Sequence, residues 1–187
     1  MKMRQIALAL AVSLASTASL ADTLNFEAFP SANLGSPVLV MPNATVTGAA
    51  ASLFNLSSIY LVGMGGAICS LTSSWNCEAD LTIDFASAVS NLSFQTVGYD
   101  GGDSVTISAF AGATLLGSQT IVGDQTVDFT AYSGVTRLYF DDASTGAGYG
   151  YGAFNFNTAP VPEPETYAMM LAGLGLIGAA AKRRRKA

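Results

Sequence analysis

The chain has 187 residues, half of them hydrophobic, only 11% charged and none histidine, a size that suits one domain once targeting segments are set aside. Between Asp22 and Pro160 eleven acids face a single base, Arg137, so a whole-chain charge of −5 hides an acidic passenger between two basic ends. That balance repels phosphate backbones and argues against a nucleic-acid partner. The lack of histidine removes Ser-His-Asp and Cys-His catalysis, and the lack of any lysine between Lys2 and Lys182 removes a Ser-Lys pair from the passenger.

In chain order, residues 1–21 read as a secretory signal peptide. Lys2 and Arg4 supply the positive start, Ile6 to Ala18 the apolar stretch, and Ser19-Leu20-Ala21 the small residues at a cleavage point. The expected cut falls between Ala21 and Asp22. An uncleaved anchor is the weaker alternative, because the apolar run is shorter than the ~20 residues a membrane span needs.

Residues 22–158 read as all-β. Short apolar or alternating runs are separated by Gly, Asn, Asp and Ser. Strands are expected at Thr23–Ala28, Ser57–Gly63, Leu81–Phe85, Asn91–Val97, Val105–Ser108, Thr114–Ile121, Gln125–Phe129, Thr136–Phe140 and Ala153–Asn157. Turns are expected at Tyr99–Asp103, Ala111–Ala113, Val122–Asp124 and Thr145–Gly148. This spacing predicts an antiparallel β-sandwich or jelly roll. Cys69 and Cys77 are the only cysteines. In an exported protein so close a pair reads as a disulfide closing a loop. Two buried thiols or a metal pair are the alternatives, and the metal pair lacks further ligands.

The segment 159–187 has three parts. Val161-Pro162-Glu163-Pro164-Glu165 is stiff and extended, because proline fixes its own φ and restricts its predecessor. Tyr167 to Ala181 is an uninterrupted apolar run of 15 residues, read as a short transmembrane helix over 167–181. Lys182, Arg183, Arg184, Arg185 and Lys186 form a basic membrane stop that stays cytoplasmic by the positive-inside bias.

Motif, apolar run and basic tail together resemble the PEP-CTERM sorting signal, also called the ice-binding protein C-terminal domain. The resemblance covers about one seventh of the chain. It implies a Gram-negative, exopolysaccharide-producing bacterium and processing near Pro162-Glu163-Pro164 by an exosortase, a membrane transpeptidase-like enzyme. These three residues would then be substrate residues. The passenger is more loosely similar to β-sandwich modules common on such proteins, through Leu24–Glu27, Ile83–Val89 and Gly152–Phe156. Phe154 stands where those modules often have an acid, which weakens any borrowed calcium site.

Other candidate sites are few. Glu27, Glu78, Asp80, Asp84, Asp128, Asp141 and Asp142 include no pair that the sequence brings together for glycoside hydrolysis. Asp100-Gly101-Gly102-Asp103 offers calcium oxygens or a hairpin turn, with the turn favoured. Asp141-Asp142 reads as a strand end. Tyr149 and Tyr151 with Trp75 form either a sugar-binding platform or a packed aromatic loop. Arg137 is expected to pair with an acid. The irregularly spaced threonines do not support ice adsorption.

No catalytic residue, metal or cofactor is expected. The expectation is a non-enzymatic exported protein associated with exopolysaccharide or biofilm. Its route passes through the secretion translocon, signal peptidase and an inner-membrane intermediate facing the periplasm, and ends at the cell surface or outside. The alternative is a small carbohydrate-active enzyme on a jelly roll.

Overall fold

A computed structural model describes residues 20–50, 52–55, 66–143, 149–158, 171 and 173–175. The expected strand at 57–63 and turn at 145–148 lie outside the described residues, as do most of the expected signal peptide and of the segment 159–187. Eleven strands are described: β1 (Leu20–Leu24), β2 (Val38–Val40), β3 (Ala44–Gly48), β4 (Ser52–Asn55), β5 (Ala67–Leu71), β6 (Cys77–Ala79), β7 (Leu81–Val97), β8 (Val105–Ala111), β9 (Thr114–Ile121), β10 (Thr126–Asp142) and β11 (Gly150–Thr158). All of their pairings are antiparallel.

The framework is β7 against β10, each 17 residues long. Their burial pattern shows why they bend. Leu81, Ile83, Phe85 and Val89 point inward at odd positions, and Leu92 and Phe94 at even ones. In β10 the phase changes in the same way between Val135 and Leu138. Side chains alternate with period 2, so each phase change requires one extra residue, a β-bulge. The pairing register shifts there, between Phe129 and Ser133, Ser133 and Val135, and Val135 and Arg137. Asn91 (φ 50°) and Gly134 (φ 75°) take the left-handed conformation at the bends.

Each long strand therefore serves two neighbourhoods. On one side of the bend, Leu81–Phe85 pairs with β3, Leu81–Asp84 pairs with the second half of β10, and β10 carries β8 and then β9. On the other side, Leu92–Gln95 pairs with the first half of β10, and β7 meets β11, which carries β1 and β5. The two parts share one core. The Phe140 ring lies 5.7 Å from Phe94, 4.3 Å from Tyr151 and 6.4 Å from Phe154, which in turn meets Phe26 edge-on. Such aromatic pairs contribute beyond the area they bury.

Several expected boundaries move. The first strand lies at Leu20–Leu24 and does not extend to Ala28. The reason is Asn55, fully buried, whose Nδ2 donates to the carbonyls of Phe26 (3.0 Å), Phe29 (2.9 Å) and Pro30 (3.3 Å) and so holds that stretch as a loop. Leu81–Phe85 and Asn91–Val97 are one strand, and so are Gln125–Phe129 and Thr136–Phe140. β2 to β6 are not expected from the sequence: they run only three to five residues, and although Ala44–Gly48 alternates, Ala67–Leu71 is buried throughout. At Gly152 a Cβ would collide with the Gly66 carbonyl and the Ala67 backbone, so glycine is what lets β11 lie against β5.

Phe140→Ala should cost about 3–5 kcal/mol, because it opens a cavity where both parts of the sheet meet. Urea unfolding monitored by circular dichroism will measure this.

Candidate functional site

Residues opposite one another in an antiparallel ladder share a face. Thr47, Thr82, Tyr139, Ser108 and Ser118 form one row across β3, β7, β10, β8 and β9, and Thr45, Asp84, Arg137 and Phe110 form the next. These side chains are partly or fully exposed, while Val46, Ile83, Leu138 and Ile107 between them are buried. The strands thus turn a hydroxyl-rich face to solvent. Ser108 and Ser118 hydrogen-bond across it at 2.9 Å, and Thr106 and Thr120 at 3.2 Å.

A shallow groove of about 360 Å³ opens on this face, lined by Thr82, Phe110, Gly112, Ala113, Arg137 and Tyr139. Arg137 Nε donates to Asp84 Oδ1 at 2.6 Å, with both side chains about half exposed. The expected acid partner of Arg137 is therefore Asp84, and the contact raises the guanidinium pKa. In water such a pair contributes little stability; it places a donor fork and an acceptor side by side. Tyr139 donates its hydroxyl to Asp80 Oδ2 at 2.5 Å, and Asp80 Oδ1 accepts the Asp142 amide at 3.0 Å. The Asp80 hydrogen bond, with smaller help from burial and nearby negative charge, pushes the Tyr139 phenol up to about 12.

The other candidates resolve individually. Cys69 and Cys77 form a disulfide with Cα atoms 5.4 Å apart, and Phe54 packs against it. The sugar platform of Tyr149, Tyr151 and Trp75 is not formed. Tyr149 and Tyr151 are buried with Phe140 and Tyr99, and burial holds the Tyr151 phenol well above its usual pKa, whereas Trp75 stands 69% exposed. Asp100–Asp103 is a turn: the Asp103 amide donates to Asp100 O at 3.2 Å, and Asp103 Oδ2 accepts the Asp100 amide at 2.8 Å. Asp141 and Asp142 end β10. Among the described residues no group of three acids or cysteines is placed to hold a metal ion.

The remaining functional segment is the one that follows β11. Pro162, Glu163 and Pro164, the 167–181 run and Lys182–Lys186 lie almost wholly outside the described residues. Residue 171 and residues 173–175 are helical, with Leu171 65% and Leu174 58% exposed. Among the described residues no helix is long and apolar enough to cross a membrane. Residues 160–186 match the family described as PEP-CTERM protein-sorting motif. The match implies an exported protein processed by an exosortase at the membrane. No curated protein matches the chain.

Tyr139→Phe should remove the Asp80 hydrogen bond and lower stability by about 1 kcal/mol, the lower end for a charged acceptor because solvent reaches the site. A phenol whose pKa is raised on folding from 10.0 to about 12 contributes this stability fully below pH 10, and loses it as pH rises through 12. Urea midpoints at pH 7 should separate the two proteins. Absorbance titration should show the tyrosinate step near pH 12 missing from the variant.

Proposed function

We propose that this is a non-enzymatic surface or matrix protein that associates with exopolysaccharide after export. The observation that carries the reading is the sorting-motif match at 160–186, which begins two residues beyond the end of β11 at Thr158. Residues 1–21 serve as the signal peptide, 22–158 as the passenger and 159–187 as the sorting segment. The two neighbourhoods around the β7–β10 bend read as the layers of a jelly-roll sandwich. The translocon threads the chain to the periplasm, the 167–181 helix holds it briefly in the inner membrane, and Lys182–Lys186 stop it there. Exosortase then processes it near Pro162-Glu163-Pro164 and passes it to the surface.

Two features support the binding half of this reading. The passenger keeps one base and eleven acids, so it suits uncharged or cationic polymers and is repelled by anionic ones. Its exposed face offers hydroxyls, an arginine–aspartate pair and the Tyr139 ring, groups that hydrogen-bond and stack with sugars. Asp80 and Asp84 are engaged within that face by Tyr139 and Arg137, which favours binding over hydrolysis.

The N-terminal processing has a geometric consequence. The Ala21–Asp22 bond lies inside β1, where Ala21 faces Asn157 and Asp22 faces Phe156. A paired strand is closed to a peptidase until it opens locally, so the signal is removed before β1 docks on β11. The mature chain then starts at Asp22 and still pairs through Leu24. The segment that leaves β11 at Thr158 and the start of β1 stand side by side, Leu20 opposite Thr158. Both membrane-directed ends therefore leave the domain at one place.

Mass spectrometry of the surface fraction should find Asp22 at the N-terminus and no Lys182–Lys186. A surface form that keeps the basic tail would end the sorting reading. Pro162→Ala with Pro164→Ala should shift the protein to the membrane fraction with its tail intact.

A further inference from the structure

Trp75 is the chain's single tryptophan, and its backbone is in the wrong place for its side chain. It sits in the β5–β6 connection with φ 67°, the left-handed region. The turn is tight: the Trp75 amide donates to Thr72 O at 3.0 Å, and the Thr72 amide donates to Asn76 O at 2.8 Å. Such turns need one left-handed residue, normally glycine or asparagine, because a larger side chain crowds its own carbonyl. The indole also gains little from burial, being 69% exposed. The Cys69–Cys77 disulfide fastens the two strands behind it. A strained, exposed aromatic held on a cross-linked tip is unfavourable for the isolated domain, and outliers of this kind gather at binding sites.

We infer that Trp75 is a ligand-contacting residue that stacks its indole face on a sugar ring of a neutral polysaccharide. This deepens the exopolysaccharide reading and rests on it. The surroundings select the ligand. Ser73 and Ser74 are exposed beside Trp75, and Thr72, Asn76 and Glu78 are partly exposed. Asn76 Nδ2 lies 3.4 Å from Glu78 Oε1. A single flat apolar surface on a tip whose other exposed groups are hydroxyl, amide and carboxylate complements a pyranose, whose C–H face is apolar and whose rim is hydroxylated. A lipid surface would call for basic or further apolar companions, and the tip from Thr72 to Glu78 has neither. A protein hot spot would be ringed by groups that exclude water, whereas this tip is polar and open. The acidic passenger selects against an anionic polymer.

The single tryptophan makes the test direct, because emission excited at the red edge, where tyrosine does not absorb, reports this residue alone. The full chain in mild detergent is titrated with three probes: a soluble neutral glucan, a galactomannan, and the neutral polysaccharide fraction from the producing strain's medium. Vesicles of phosphatidylethanolamine and phosphatidylglycerol form the comparison. The expected result is a blue-shifted, saturable emission change with at least one polysaccharide and none with vesicles. Trp75→Gly should weaken binding at least about tenfold by calorimetry, while the thermal midpoint by circular dichroism stays level or rises. Trp75→Tyr should recover part of the affinity. If Trp75→Gly binds polysaccharide as tightly as the parent, the stacking role fails and the exopolysaccharide reading survives. If Trp75→Gly lowers the midpoint, Trp75 is a structural residue and the inference is overturned. An emission shift with vesicles only overturns it in favour of a lipid surface. If the parent binds no polysaccharide, both readings fall.

Discussion

The fold depends on one constraint, the pairing of two 17-residue strands through a common bend. β7 and β10 stay hydrogen-bonded on both sides of the bend, yet each slips by a residue in its inward phase. A straight pair of this length would put half of its apolar side chains in water. The bulges near Asn91 and Gly134 restore the match, so that Ile83 and Phe94, of opposite parity in sequence, end in one core. The other strands take their places from this ribbon: β3, β8 and β9 on one part, β11 with β1 and β5 on the other. Phe140 joins the two through its contacts with Phe94, Tyr151 and Phe154.

The outward positions follow from the same alternation. Once Ile83, Leu138 and Ile107 point inward, Thr82, Asp84, Arg137, Tyr139 and Ser108 must point out, and the face acquires hydroxyls and one balanced ion pair. The passenger's single base stands beside Asp84 in this face, so the local surface is less acidic than the domain as a whole. Such an arrangement suits polyhydroxylated partners and discourages phosphate-rich ones. The Trp75 tip adds a second, differently built contact, whose rigidity comes from a covalent cross-link.

The sequence disclosed some of this and hid the rest for identifiable reasons. The sorting segment was legible because its proline motif, apolar run and basic cluster are contiguous and owe nothing to tertiary structure. The close Cys69–Cys77 pair and the Arg137 ion pair were legible for similar reasons, as were β9 and the turn at Asp100–Asp103. The long strands were read as fragments, because a bulge breaks period-2 alternation as a loop does. The strands β2 to β6 were missed because they are short or, like the fully buried Ala67–Leu71, lack an exposed phase. At Tyr149–Gly152 the sequence leaves a sugar platform and a packed aromatic loop open, and the packed alternative is the one that forms: both tyrosines turn inward and Gly152 permits a close strand contact. The strain at Trp75 was equally hidden, since nothing nearby marks that position as the left-handed slot of its turn.

The β domain meets the sorting segment where β1 and β11 lie together. The proposed role of that tail is a temporary hold released by an exosortase, which fits the 15-residue length of its apolar run. Pulse-chase labelling in the producing strain, with and without its exosortase gene, tests this most directly. A membrane-bound precursor should become a smaller surface form in the parent strain and persist unchanged in the deletion strain. Equal conversion in both strains would contradict it.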